Sequence, residues 1–251
     1  MTSTLLASLA LVVVLSHLLA AWSSSRNTGL SPDQARRFTF RVAIVLGVLL
    51  AASAAVSTSG FLANFDATPP YLMRFILPHV VFTLIIGTIS PYGRRLALGL
   101  PIAALVGLQA FRIPVEFLLH EFYREGLAPI QVTYLDRNLD VLTGVTAIPV
   151  AWLAASGKAP RWLLFVWNWL GLALLLNVVG VALTSMPGPF RLFMNEPSAR
   201  FIADFPYIFV PTVFVTTALF GHVLLFRRLH LEAKAAAPVT REMPAADQYP
   251  S

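Results

Sequence analysis

An all-α, polytopic transmembrane bundle of seven spans, with the N-terminus outside and the C-terminus cytoplasmic, is the fold class that the sequence predicts, and three observations predict it. Hydrophobic residues make up 57% of the 251 and charged residues only 12%, whereas an ordinary soluble domain carries about 25% charged residues. Seven apolar segments are long enough to cross a hydrocarbon core of about 30 Å, which takes about 20 helical residues. The connections between them alternate in charge, with twelve of the eighteen basic residues on one side, and an excess of Lys and Arg marks the cytoplasmic side.

The spans fall near 4–22, 38–58, 72–90, 96–120, 138–156, 162–185 and 206–227. The first, TLLASLALVVVLSHLLAA, has the apolar core of a signal peptide but no basic n-region. Cleavage would also strand Arg26, Arg36, Arg37 and Arg41 outside, so the segment counts as a span. In the second span, Gly47, Ala51 and Ala55 recur every fourth residue, a small-xxx-small face for close helix packing. Arg94 and Arg95 precede the fourth span, Lys158 and Arg161 the sixth, and Arg227, Arg228, Lys234 and Arg241 follow the seventh. Opposite them lie eight of the twelve acids: Asp66, Glu116, Glu121, Glu125, Asp136, Asp140, Glu196 and Asp204. Pro78, Pro101, Pro114, Pro149 and Pro211 each remove a backbone donor within a span, and carbonyls freed there could bind a cation or substrate. Trp162, Trp167 and Trp169, with Asn168, mark the inner aromatic belt of the sixth span. Two outer loops, 121–137 and 186–205, are longer than connection requires. In the second, Phe190, Phe193, Phe201 and Phe205 stand beside Arg191 and Arg200, as an interfacial segment on the outer leaflet or a plain loop anchored by aromatics. Residues 1–230 form the seven-helix domain, and 231–251, polar and rich in Ala and Pro, form a disordered cytoplasmic tail.

The chemistry concentrates on the fourth span. Gln109, Arg112, Glu116 and His120 are spaced 3, 4 and 4 residues apart, an arc of roughly 80° on one helical face. Charged groups in a bilayer core cost at least about 2.5–3.5 kcal/mol each, so such a stripe turns inward. From the direction of each span, Asn138 and Asp140 at the start of the fifth, His79 in the third and Asn177 in the sixth belong to the same outer half. All eight residues are therefore expected around one outward-facing polar cavity for a small molecule or ion. The structural alternative has Arg112 paired with Glu116 and the remainder bonding helix to helix.

Other chemistries find less support. The absence of cysteine excludes disulfides, thiolate nucleophiles and iron–sulfur clusters. Glu116 and His120, with His79, are weak metal candidates, since no HExxH motif accompanies them. His17 and His222, in the first and seventh spans, are weak candidates for axial ligation of a haem. A retinal Schiff base needs a lysine in the last span, and the lysines, Lys158 and Lys234, lie at cytoplasmic ends. No particular cofactor is called for. The net charge of +6 sits at the ends of apolar segments, so it reports topology and not nucleic-acid binding.

The stretches FRIPVEFLLHEFYREGLAP, RNLDVLTG, WNWLGLALLLNVVG and PGPFRLF, within residues 72 to 228, resemble an uncharacterised family of bacterial multi-pass membrane proteins. The resemblance implies a seven-span bundle and supplies no activity. The functional expectation is binding, transport or sensing of a small molecule or ion in the inner membrane, with Arg112 as anion anchor and Glu116 and His120 as a proton-responsive pair. A membrane-embedded metal or haem enzyme and an assembly scaffold are the alternatives. The bilayer is the expected partner; oligomeric state is not legible.

Overall fold

The computed structural model describes residues 1–236 and is all-α, without strands among those residues. Helix α1 (Thr2–Asn27) turns at Gly29 into α2 (Pro32–Thr58). The start of α2 is written in sequence: Pro32 takes the first helical position, while Ser31 and Gln34 each bond the other's backbone N–H. After α3 (Tyr71–Thr88), Ser90 caps a short helix α4 (Pro91–Gly99), and Pro101 ends that helical path. A second, continuous helical path runs through α5 (Ile102–Gly107), a 3₁₀ stretch at Leu108–Phe111 and α6 (Arg112–Arg124). Helices α7 (Val141–Ala155) and α8 (Arg161–Ser185) come next. A π-helical stretch, Val210–Val215, leads into α9 (Thr216–Ala236).

Six of these helical stretches are long and apolar enough to cross a membrane; α7, at 15 residues, is a shorter apolar helix. Several expected boundaries change, α1 running on to Asn27 and α2 starting as early as Pro32. The fourth span begins at Ile102 and not at 96, because Pro101 cannot continue a helix from α4, and it extends to Arg124. The last helix runs on to Ala236, past the expected end of the bundle at 230, and the remainder of the expected tail lies outside the described residues.

Hydrogen bonds gather the chain at two opposite ends. At one end Thr2 bonds Glu125 at 2.8 Å, Ser3 bonds Tyr207 at 3.0 Å, Ser57 donates to the Ala203 carbonyl at 2.7 Å and Gln131 donates to Ser185 at 3.0 Å. At the other, Asn27 donates to the Gly99 carbonyl at 2.9 Å, Arg227 and Arg228 reach carbonyls of α3 and α4, and Arg161 bonds the Leu229 carbonyl. The α9 stretch is the most buried of the six and packs on α3, α4, α5 and α8, so it is the central post. The largest apolar cluster, around Phe122, Phe201, Tyr207 and Ile208, fills the first end. Smaller clusters around Val106, Trp167 and Leu225 and around Leu96 and Leu224 fill the second.

Two expectations about surfaces are corrected. Gly47, Ala51 and Ala55 are exposed, with nothing of this chain near Gly47; α2 instead buries Ala35, Ser53 and Ser57. The 186–205 segment does not lie wholly on a surface. Phe190 and Phe205 are exposed, but Ala199–Ala203 is a buried 3₁₀ turn whose Phe201 ring packs between Phe122 and Tyr207. An aromatic ring gains more by joining that core than by remaining outside.

Candidate functional site

Gln109, Arg112 and Glu116 of the polar stripe are buried and bonded into the protein. Arg112 opens α6 directly after the 3₁₀ turn, which aims its side chain at the junction of α7, α8 and α9. Its Nη1 donates to Asp140 Oδ1 at 2.5 Å and to the Gly171 carbonyl at 3.3 Å, and its Nη2 donates to His222 Nε2 at 2.9 Å. A guanidinium has donors only, so His222 Nε2 accepts and the ring proton sits on Nδ1, the neutral tautomer. That Nδ1–H donates to Asn168 Oδ1 at 2.7 Å, and Asn168 Nδ2 donates back to the His222 carbonyl at 2.9 Å. Four helices thus meet on one guanidinium.

A second branch runs through the acids. Asp140 stands at the N-cap position of α7, and its backbone N–H donates to Asn138 Oδ1 at 3.0 Å. Asn138 Nδ2 donates to Glu116 Oε2 at 2.6 Å and to the Val132 carbonyl at 2.9 Å. Glu116 therefore bonds an amide, while Arg112, one turn away, is held by Asp140. The expected Arg112–Glu116 pair is corrected to Arg112–Asp140. Asp140 approaches Arg112 from across the bundle, while the Glu116 carboxylate is taken by the Asn138 amide. Around this centre Arg112 Nε, Gln109 Oε1 and Thr143 Oγ1 are buried without a hydrogen-bond partner among the described residues. Gln109 itself reaches α9, donating to the Ala218 carbonyl at 3.1 Å.

Glycine makes this convergence possible. A Cβ on Gly171 would stand 2.6 Å from His222 Cε1 and 2.8 Å from Thr143 Cγ2, and one on Gly221 would collide with the Gln109 amide. No side chain fits at either position while the hub keeps its geometry.

The other expected members do not join it. His120 is half-buried between Tyr123 and Tyr134, its ring 5.1 Å from that of Tyr134. His79 is half-buried on α3, its Nδ1–H donating to the Phe75 carbonyl of its own helix at 3.0 Å. Asn177 is exposed and donates to the Arg137 carbonyl at 2.7 Å, beside a shallow groove that Asp136 and Phe193 also line. Glu116, His120 and His79 therefore form no metal site, and no group of three metal-ligating side chains occurs among the described residues. His17 and His222 are not a facing pair either. His17 stacks near Phe220 on the α1 side, and both ring nitrogens of His222 are taken by Arg112 and Asn168. The residues that sequence reasoning did not assign to this centre are His222, Asn168 and Gly171. The one signal for them is that each is a polar or minimal residue well inside an apolar helix.

No curated protein and no solved structure matches the chain. Residues 70–230, from just before α3 to near the end of α9, match the model of a family described as a domain of unknown function, in agreement with the uncharacterised family expected over 72–228. That match spans the whole of the Arg112 hub and more than half of the chain, which belongs to the Domain of unknown function (DUF8737) family.

Proposed function

We propose that this is a multi-pass protein of the bacterial cytoplasmic membrane, crossing it seven times, whose buried hub is the proton- or ion-responsive centre of a transport or sensing protein. Several features support the topology. The helices alternate between two ends of the bundle, six are long and apolar enough to span, and Arg94, Arg95, Arg161, Arg227 and Arg228 gather at one end. Basic residues mark the cytoplasmic side, which leaves the N-terminus outside. Helix α7 would cross only with its N-terminus held inside the bundle. Its cap, Asp140, is bonded there, and irregular backbone at membrane depth is tolerated where protein surrounds it.

The observation that carries the functional reading is Glu116. Two carboxyl groups share a buried site with one guanidinium and a neutral imidazole, and the guanidinium is bonded to the other carboxyl. Ionisable groups within a membrane bundle are functional candidates by default. A proton or small cation arriving at Glu116 changes the charge balance of a site on which α6, α7, α8 and α9 converge, so occupancy and helix packing are linked.

Trp167 supplies a reporter, its ring 6.1 Å from that of His222. Tryptophan emission of the full chain in liposomes, followed against pH, should show a transition that Glu116→Gln removes while Glu121→Gln, on the exposed surface, keeps it. Identical curves for wild type and Glu116→Gln would refute the reading. The scaffold alternative draws support from the mutual saturation of Arg112, His222 and Asn168. On that reading Glu116→Gln folds normally and no pH transition exists to remove.

A further inference from the structure

A second site lies away from the hub, where the α1–α2 hairpin meets the family domain. Helix α2 leans on α1, buries few of its residues and stands apart from α3, leaving a cleft of about 360 Å³ between them. That volume is within the range of about 300–1,000 Å³ typical of ligand sites. Val45 and Leu49 of α2, Phe82 and Ile86 of α3, and Val213 and Phe220 of the central post make its walls. On α2 the lining runs from Phe38 to Ser53, a length of about 22 Å at 1.5 Å per residue, more than half of a hydrocarbon core of about 30 Å. The cleft is thus a lengthwise slot, shaped for a chain and not for a compact solute.

One end of the slot is charged. Arg41 lines it one turn inside Phe38, and the Arg95 guanidinium lies 5.0 Å over the Phe38 ring, which packs 5.3 Å from that of Tyr92. Among the described residues no acid forms an ion pair with Arg41 or Arg95, in contrast to Arg36, which pairs with Asp33 on the same helix. Both arginines belong to the basic end of the bundle.

We propose that this slot holds one acyl chain of an anionic phospholipid from the leaflet at the basic end, with its phosphate between Arg41 and Arg95. Arginine suits that role because its planar fork of donors matches phosphate oxygens. The walls are mainly apolar, the hydroxyls of Ser53, Thr83, Thr212 and Thr216 and the His17 Nδ1–H being spent on carbonyls of their own helical stretches. The cations stand where a headgroup would be, so charge separates this occupant from a neutral isoprenoid, for which two guanidinium groups without an acid partner have no use. The proposal rests on the membrane placement above but not on the hub. Its test reads lipid retention and not a pH response, so the two ideas fail separately.

Native mass spectrometry of the delipidated full chain, supplied with phosphatidylglycerol and phosphatidylcholine of identical chains and with ubiquinone, measures what is kept. Phosphatidylglycerol should remain at one copy per chain in preference to the other two. Arg41→Gln should weaken its retention about fivefold, the worth of one basic residue at an anionic surface, and Arg36→Gln should leave it unchanged. Leu49→Trp, which puts an indole into the slot, should abolish retention. Val45→Trp, at the exposed lip, makes the same test if Leu49→Trp does not fold. Equal retention of the two phospholipids, preference for the quinone, or retention unaffected by an indole in the slot would overturn the proposal.

Discussion

Arg112 is fully buried, and its energetics are set by the groups it touches. Removing one partner of a buried ion pair leaves a charge without compensation, which costs about 3–5 kcal/mol, whereas replacing both partners by apolar groups of similar size is often neutral. Arg112→Met and Asp140→Leu should each lower the unfolding free energy in detergent by about that amount, with the double variant recovering much of it. Additive losses would show that the 2.5 Å pair is not energetically coupled. Gly171→Ala forces a methyl against the His222 ring and should cost about 1–3 kcal/mol. Gly180→Ala, with open space around it, should cost nothing measurable. Part of this centre is legible from residue spacing: Gln109, Arg112 and Glu116 share a face by periodicity, and Asn138 and Asp140 are expected near them. His222 is not. Treating every span as a straight rod places His222 in the inner half and Arg112 in the outer, although the two are bonded at 2.9 Å. Nor does helical spacing reveal that His120, on the same stripe, ends among tyrosines once α6 passes the hub.

The elements differ in how plainly the sequence announces them. Long apolar helices with Pro and Ser at their starts are readable, because capping and hydropathy are local properties. The 3₁₀ turn before α6, the π stretch before α9 and the shortened α7 are not, since each serves contacts with distant residues: Gln109 with Ala218, Phe111 with Phe214, Asp140 with Arg112. The 186–205 segment is a cap stitched by Arg191, which bonds the Phe193 and Asn195 carbonyls and pairs with Glu196 at 2.8 Å. The Arg191 hydrogen bond holds the exposed Glu196 carboxyl below its ordinary value, with the Ser198 N–H adding to it. A depressed acid contributes above its unfolded pKa and loses that contribution as pH falls through its folded one. Hydrogen-exchange protection factors over 186–205, that is, rates corrected for the intrinsic pH dependence of amide exchange, should therefore be constant near neutrality and fall below the usual carboxylate range. Glu196→Gln should show the lowered protection at every pH. At the opposite wall of the cap, Ser57→Ala removes a buried bond to the Ala203 carbonyl and should cost about 1 kcal/mol.

At the scale of the molecule, the absence of cysteine is an experimental convenience: any single introduced thiol is a unique label. If the chain crosses seven times with the N-terminus outside, as proposed above, Asp66→Cys and Asp204→Cys should react with an impermeant maleimide from the periplasmic side. Asp33→Cys and Ser156→Cys should react only after the membrane is opened. Inverted labelling would reverse the orientation, and labelling of Asp33→Cys and Asp66→Cys from one side would deny that α2 crosses. The hub adds a dimension that no finished bundle displays, which is time. Arg112 leaves the ribosome 110 residues before His222, and at about 5–20 residues per second the histidine arrives about 5–20 s later. Asp140 comes after Arg112 by 28 residues, so during biogenesis the guanidinium is first held by an acid alone and then locked by the last helix. A chain that stops before α9 leaves Arg112 with Asp140 and the Gly171 carbonyl but without His222, so the order in which the partners emerge sets the order in which the hub can close.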